Sequence, residues 1–238
     1  MSDRRRMLLT ALGGSFAIPT FDGSYAIFGD EKQGYIECYS SGTLTFPEKG
    51  VVDVFVLGSG LCGAYGGTYS GGKGGGGAVG VTERELTVKG DYSIVVAASC
   101  SSTGAANAST AFELTAKTTL TNGGVGAAWN SETASVTNYG RSGSNGTSYP
   151  FGETSGVFFR KLGAGGGGSG STYAGSYARG AVGGTLGGGN GDKVSSGNDT
   201  ATSGAANTGS GGGGRNYYNN PTGLGGSGIV IVRWGYAA

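Results

Sequence analysis

Val51-Val52-Asp53-Val54-Phe55-Val56-Leu57-Gly58-Ser59-Gly60 decides how the rest of the chain is read. Residues 51–57 are mostly β-branched or aromatic and apolar on both faces of an extended chain, which predicts a strand buried on both sides. The glycines that follow end the strand and argue against a helix after it, because glycine is a very poor helix former. Working outward, apolar alternation predicts further strands at Ile36–Tyr39, Thr43–Phe46, Val79–Val88, Tyr92–Ala97, Phe112–Leu120, Val157–Phe159 and Ile229–Trp234. The apolar face changes side along Val79–Val88, which predicts a bulge or twist, and Lys89-Gly90-Asp91 predicts a turn. Residues 1–12 allow one short helix, and no convincing helix follows. The predicted fold is all-β, a β-sandwich or jelly-roll-like frame in which Val51–Leu57, Tyr92–Ala97 and Ile229–Val232 share one core.

Glycine supplies 55 of the 238 residues and gathers in two runs, 58–77 and 163–228. Neither run has the every-third glycine of collagen, and the chain holds only 4 prolines. Disordered chains combine high net charge with few aromatics, whereas here the net charge is +1 and aromatics reach 10%. Such runs can instead pack side by side as three-residue-per-turn polyglycine-II helices, whose N–H and C=O groups bond between helices. The expected organisation is an N-terminal attachment segment (1–20), a β frame (21–162) containing the first glycine run, a glycine-rich insertion (163–228) and a closing strand (229–238).

Several chemistries are excluded or weakened. With no histidine, the commonest general base and metal ligand are missing. Cys38, Cys62 and Cys100 are far apart, with no zinc spacing. Cys62 and Cys100 can pair in an oxidising setting, but the odd count favours three unpaired thiols. Gly58-Ser59-Gly60-Leu61-Cys62-Gly63 matches a dinucleotide-binding pattern that requires a following helix, which Ala64-Tyr65-Gly66-Gly67 cannot start. The stretch from Gly67 to Gly74 resembles a phosphate-binding loop but lacks the Ser or Thr after Lys73 that holds magnesium. Glu83 and Glu85 share a strand face as a hydrolase pair would, yet solvated strand charges account for them better. Asn107, Asn145 and Asn198 begin glycosylation acceptors by pattern only. Arg4-Arg5-Arg6 before Met7-Leu8-Leu9 resembles the start of a secretion signal, but its apolar stretch is too short. No run approaches the length of a transmembrane helix. The expectation is therefore no catalysis, no cofactor, no metal, no nucleic acid and no membrane insertion.

Thr43-Leu44-Thr45-Phe46-Pro47, the strand entering Gly58-Ser59-Gly60, then Ala78-Val79-Gly80-Val81 and the closing Gly225-Gly226-Ser227-Gly228-Ile229-Val230-Ile231-Val232-Arg233-Trp234 form a recognisable arrangement. Over residues 43–236 it resembles the glycine-rich domain of phage and prophage tail proteins, although residues 101–162 hold few glycine runs. The resemblance implies packed polyglycine helices and a tail-fibre or tail-tip receptor-binding protein, an adhesin of the virion tail made in the bacterial cytoplasm. Its partners would be other phage tail proteins and a bacterial surface receptor, with assembly as a homotrimer or on a trimeric fibre. A structural tail-tip, neck or head-fibre part without receptor binding is the alternative, followed by a secreted surface or ice-binding protein.

Tyr65, Tyr69, Tyr173, Tyr177, Tyr217 and Tyr218 lie among glycine, serine and asparagine, the composition of antibody binding loops. Tyr173, Tyr177, Tyr217, Tyr218, Asn219 and Asn220 are the candidate receptor contacts, the other reading being that tyrosines cap or fill gaps between glycine helices. Arg4, Arg5, Arg6, Met7, Leu8, Leu9 and Leu12 are the candidate attachment residues, because a lone 12-residue helix is marginal in water and needs a partner.

Overall fold

The computed structural model describes residues 16–65, 73–100, 106–118, 143, 145–146, 148–153, 155–158, 161–167, 183–184, 187–191, 200–215 and 223–236. The attachment segment through Leu12 lies outside them. Its strands are β1 (Thr20–Phe21), β2 (Tyr25–Gly29), β3 (Gly34–Cys38), β4 (Gly42–Leu57), β5 (Gly80–Ile94), β6 (Ser109–Ala111), β7 (Leu114–Ala116) and β8 (Ile229–Trp234). Among the described residues the sole helical element is a 3-10 turn at Pro150–Gly152, so the fold is all-β as expected.

Six strands form one antiparallel sheet in the order β1-β4-β8-β3-β2, with β5 along the other edge of β4. The strand that opened the sequence argument is its spine. Alternation along β4 and β8 sends side chains to two buried clusters. Val52, Val54, Val56, Val230, Val232 and Trp234 enter one, with Leu44, Phe46, Ile94 and Val96. Phe55, Leu57, Ile229 and Ile231 enter the other, beneath Phe151, Phe158 and Leu162. The three strands expected to share a core do so in the first cluster. The β6–β7 hairpin contributes Ala111 and Ala116 to it and joins the sheet extension through the Val95–Thr110 bridge.

Local boundaries depart from expectation at four places. Thr43–Phe46 and Val51–Leu57 are halves of the single strand β4, whose register shifts between Phe46 and Gly50. Pro47 falls in that shift, where a missing ladder donor is tolerated. Lys89-Gly90-Asp91 does not turn the chain; Gly90 takes φ +83° inside β5. The expected strand Phe112–Leu120 is broken by a hairpin whose loop residues Phe112 and Glu113 have φ +51° and +67°, the geometry of a tight two-residue turn. Turning places the Phe112 ring 4.6 Å from that of Tyr92. Val157 and Phe158 lie in a turn, with Phe158 buried and Val157 exposed. The bulge expected in 79–88 is present: Arg84 and Glu85 stand opposite Asp53, and Glu85 has φ +59°.

Candidate functional site: a glycine lattice mounted on the sheet

β4 ends at Leu57, which is paired with Gly80 at the start of β5 and Ile229 at the start of β8. The glycine-rich stretches therefore leave and rejoin one end of the sheet. Seven stretches lie there side by side: 58–65, 73–78, 162–167, 187–191, 200–205, 208–215 and 223–228. Stretch 208–215 is central, and Gly209 through Gly214 are all buried. Its amides donate to Ser227, Ala164, Leu61 and Thr202 carbonyls from Gly209, Gly211, Gly212 and Gly213, at 2.7–3.0 Å. Its carbonyls at Gly209, Ser210, Gly211 and Gly212 accept from Ala78, Gly226, Gly189 and Gly75. The centre is thus bonded to each of the other stretches.

Those outer stretches are also bonded to one another in a closed ring. Leu61 donates to Gly76, Gly166 to Gly75, Gly167 to Gly189, Thr202 to Asn190, Gly204 to Leu224 and Gly60 to Gly226. Bonds between a given pair recur at every third residue. Gly60 and Gly63 donate to Gly226 and Gly223, Leu61 and Ala64 to Gly76 and Lys73, and Gly211 and Gly214 to Ala164 and Gly167. A three-residue repeat of outward bonds is what a three-residue-per-turn helix without internal bonds offers its neighbours. Glycine is required at the centre because a Cβ on Gly211, Gly212 or Gly213 would overlap the carbonyls of Gly75, Gly223 and Asn190 respectively.

Side chains clamp this lattice to the sheet. Ser109 Oγ accepts from the Ala97 amide and donates to the Leu57 carbonyl, at 2.9 and 2.7 Å. The Asn107 carbonyl accepts from the Ser59 amide, and Gly228 donates to Ala97. Cys62 and Cys100 form a disulfide with Cα atoms 5.8 Å apart, which corrects the expectation of three unpaired thiols. The fold brings stretch 58–65 beside the residues after β5, a proximity that their 38-residue separation does not reveal. Cys38 remains a free, buried thiol; burial, aided by the Glu37 charge, pushes it up to about 12 and keeps it protonated.

On the second face of the sheet Arg233 is fully buried, directly opposite Asp53 in the β4–β8 register. Its Nε donates to Asp53 at 3.0 Å, and Nη1 pairs with Glu153. The guanidinium lies 4.1 Å from the Phe151 ring centroid and 5.2 Å from those of Phe158 and Tyr236. Sequence reading misses this pair, though each is the charged residue of an otherwise apolar run, 51–57 and 229–234. Beside it, Phe55, Thr82, Arg84, Ser148, Tyr149 and Phe151 line an open cleft of about 480 Å³.

The candidate receptor contacts Tyr173, Tyr177, Tyr217, Tyr218, Asn219 and Asn220 lie outside the described residues, as does Tyr69. The described chain stops and resumes at 65 and 73, 167 and 183, 191 and 200, and 215 and 223. These points lie together at the end of the lattice away from the sheet: Ala64 bonds to Lys73, Arg215 to Ala64, Gly214 to Gly167 and Thr202 to Asn190. Tyr65 is described there, paired with Arg215 through a parallel bridge and with its ring centroid 5.4 Å from the Arg215 guanidinium. Among the described residues no three His, Cys, Asp or Glu side chains group to hold a metal, and no helix is long and apolar enough to cross a membrane.

The fold and lattice define the molecule as an all-β protein carrying a backbone-bonded glycine module at one end of its sheet. A family model described as a glycine-rich domain matches residues 39–235, and the chain belongs to that family. No match is found among curated proteins.

Proposed function

We propose that this chain is a phage tail-fibre or tail-tip receptor-binding protein. The sheet is the mount, the glycine lattice is a rigid shaft of polyglycine-II helices, and the far end of the shaft meets the bacterial surface. One observation carries the reading: three of the four intervals that connect the far ends of the stretches, 66–72, 168–182 and 216–222, contain Tyr69, Tyr173, Tyr177, Tyr217 and Tyr218. A shaft whose backbone is bonded in every direction holds its end in place before contact, so little further ordering opposes binding. Residues with the composition of antibody loops suit adaptable contacts there.

The proposed partners are a host surface receptor at that end and other tail proteins at the other, in a trimeric assembly of the virion tail. Residues 2–14 supply the attachment, so deleting them should leave a folded domain that no longer enters particles. Changing Tyr217 and Tyr218 together to Ala should weaken adsorption at least tenfold, since each 1.4 kcal/mol lost is a factor of ten. The melting temperature should not move. If adsorption survives this change and also survives exchange of 163–228 for the tract of a relative with another host, the chain is a structural virion part instead.

A further inference from the structure

We propose that the outer edge of β2 docks a second copy of this chain, paired antiparallel about a twofold axis at Ile27. The inference goes beyond the receptor reading and does not rest on it. β2 ends the sheet, and among the described residues no strand pairs with its outer side. Its register with β3 fixes which backbone groups face that side. The Tyr39 amide donates to the Ser24 carbonyl at 2.8 Å and the Asp30 amide to the Gln33 carbonyl at 3.0 Å. Both pairs share one register with Ala26–Glu37 and Phe28–Tyr35. Bonded pairs alternate along an antiparallel ladder, so Ala26 and Phe28 direct their amides and carbonyls to β3, and Tyr25 and Ile27 direct theirs outward.

The two long edges of the sheet differ in how they meet solvent. β5, at the other edge, carries Glu83, Arg84, Glu85, Lys89 and Asp91, and its register with β4 shifts twice. Charges and bulges of this kind keep an edge from pairing. β2, Tyr25-Ala26-Ile27-Phe28-Gly29, has no charge, no proline and no register shift, and it leaves Tyr25 and Phe28 44% and 43% exposed. An unbroken, uncharged edge flanked by exposed rings is a surface for strand addition. Residue sizes make the added strand a second β2. Antiparallel pairing of all five residues sets Tyr25 opposite Gly29 of the second copy, Ala26 opposite Phe28, and Ile27 opposite its own counterpart. Each exposed ring then meets a residue with little or no side chain and lies across it. Ile27 of each copy donates to and accepts from the other. Asp30 falls opposite Ser24, so the strand ends bring no like charges together. The same patch serves both copies, so the contact closes at two. Tyr25 is in register with Cys38, Val230 and Val56, at the lattice end of the sheet. Antiparallel pairing therefore points the two lattices in opposite directions, and the pair is two-headed.

The test is sedimentation of the full chain from about 1 μM to about 1 mM, the range that short contacts occupy. The wild type should show a reversible equilibrium between one copy and two. Phe28→Lys should raise its dissociation constant at least tenfold. Val81→Lys places the same charge on the β5 edge, at a position 36% exposed, and should change it less than twofold. Should Phe28→Lys fail to fold, the wild type still answers through amide exchange. The Ile27 amide should exchange at least fivefold more slowly in concentrated than in dilute protein, and the Phe28 amide, already bonded within the sheet, should change less. Mixing Ala26→Cys with Phe28→Cys under glutathione disulfide tests the register. Those positions face each other with Cα atoms about 4.5 Å apart, within reach of a disulfide. Ala26→Cys alone stands on a diagonal of about 7–8 Å and should not crosslink. A wild type that stays monomeric, an assembly of three copies, or a dimer that Phe28→Lys and Val81→Lys affect alike overturns the inference. Crosslinking by Ala26→Cys alone as fast as by the mixture overturns the twofold at Ile27.

Discussion

Replacing Gly212 with Ala adds one methyl group at the centre of the lattice. Two opposed effects decide the sign. Alanine has fewer unfolded conformations than glycine, which favours folding by roughly 0.4–1 kcal/mol where the native backbone accepts it. Against this, the new Cβ overlaps the Gly223 carbonyl, which is backbone and cannot rotate away. Overpacking of a closed interior costs about 1–3 kcal/mol. Moving aside also strains the bonds Gly212 makes to the Leu61 carbonyl at 2.9 Å and from the Gly75 amide at 2.7 Å. Each such bond contributes about 1 kcal/mol net. The sum is a loss of roughly 3 kcal/mol, and at about 2–4 °C per kcal/mol for a chain of this size the melting temperature should fall by about 6–12 °C. Gly90→Ala is the internal control. There a Cβ meets nothing within 4 Å, and the penalty is the φ of +83° alone, about 1–2 kcal/mol. Thermal melts of the two variants beside the wild type decide the matter. If Gly212→Ala melts with or above Gly90→Ala, the central stretch is not packed as described.

Arg233→Met should destabilise by about 3–5 kcal/mol, because it leaves Asp53 charged and buried; adding Asp53→Leu should recover at least half, measured by urea unfolding. Replacing Cys62 and Cys100 with Ser opens a loop of 38 residues, and by chain entropy this costs about 4 kcal/mol; an unchanged melting temperature under reductant would contradict it. Val230→Asp places an unpaired charge in the first core and should abolish soluble expression, so a soluble, normally melting variant counts against that placement. Asp30 accepts from the Gln33 and Lys32 amides, and these bonds hold its carboxyl below its ordinary value. A carboxyl depressed on folding stabilises above its unfolded pKa and loses that contribution as pH falls through the depressed value. Asp30→Asn should therefore lower the urea midpoint at neutral pH and leave it unchanged in strong acid.

How much of this was legible depended on whether side chains or backbone carried the information. β4 and β8 were readable because Val52 to Leu57 and Ile229 to Val232 are apolar on both faces, as buried central strands must be. β2 was missed because Tyr25 and Phe28 are exposed on an edge strand, so no clean alternation marks it. The Phe112–Glu113 turn was hidden because polar–apolar alternation is blind to the sign of φ. Asp53 and Arg233 were findable, each a charge where its neighbours demand burial, but only pairing β4 with β8 shows that they face each other. In the lattice, glycine density was visible while the arrangement was not. Gly211-Gly212-Gly213-Gly214 and Gly74-Gly75-Gly76-Gly77 read alike, yet the first is central and the second peripheral. Every bond that distinguishes them is made by backbone atoms that all residues share.

That same indifference to side chains frees the registration of the lattice from the residues at its far end. Its stretches are bonded by their own amides and carbonyls, so their registration does not draw on the residues that connect them. The four connecting intervals span 66–72, 168–182, 192–199 and 216–222. Closing a chain segment costs entropy that grows only logarithmically with its length, about 0.6 kcal/mol for each doubling, so a change of length in such an interval costs less than one buried backbone bond. Within a stretch the opposite holds. Bonds between neighbours recur at every third residue, so a single extra residue shifts that pattern, and amides aimed at one neighbour then face another. Length and composition are therefore tightly constrained inside the lattice and weakly constrained at its end. The receptor contact proposed at that end needs this division if it is to change while its support does not.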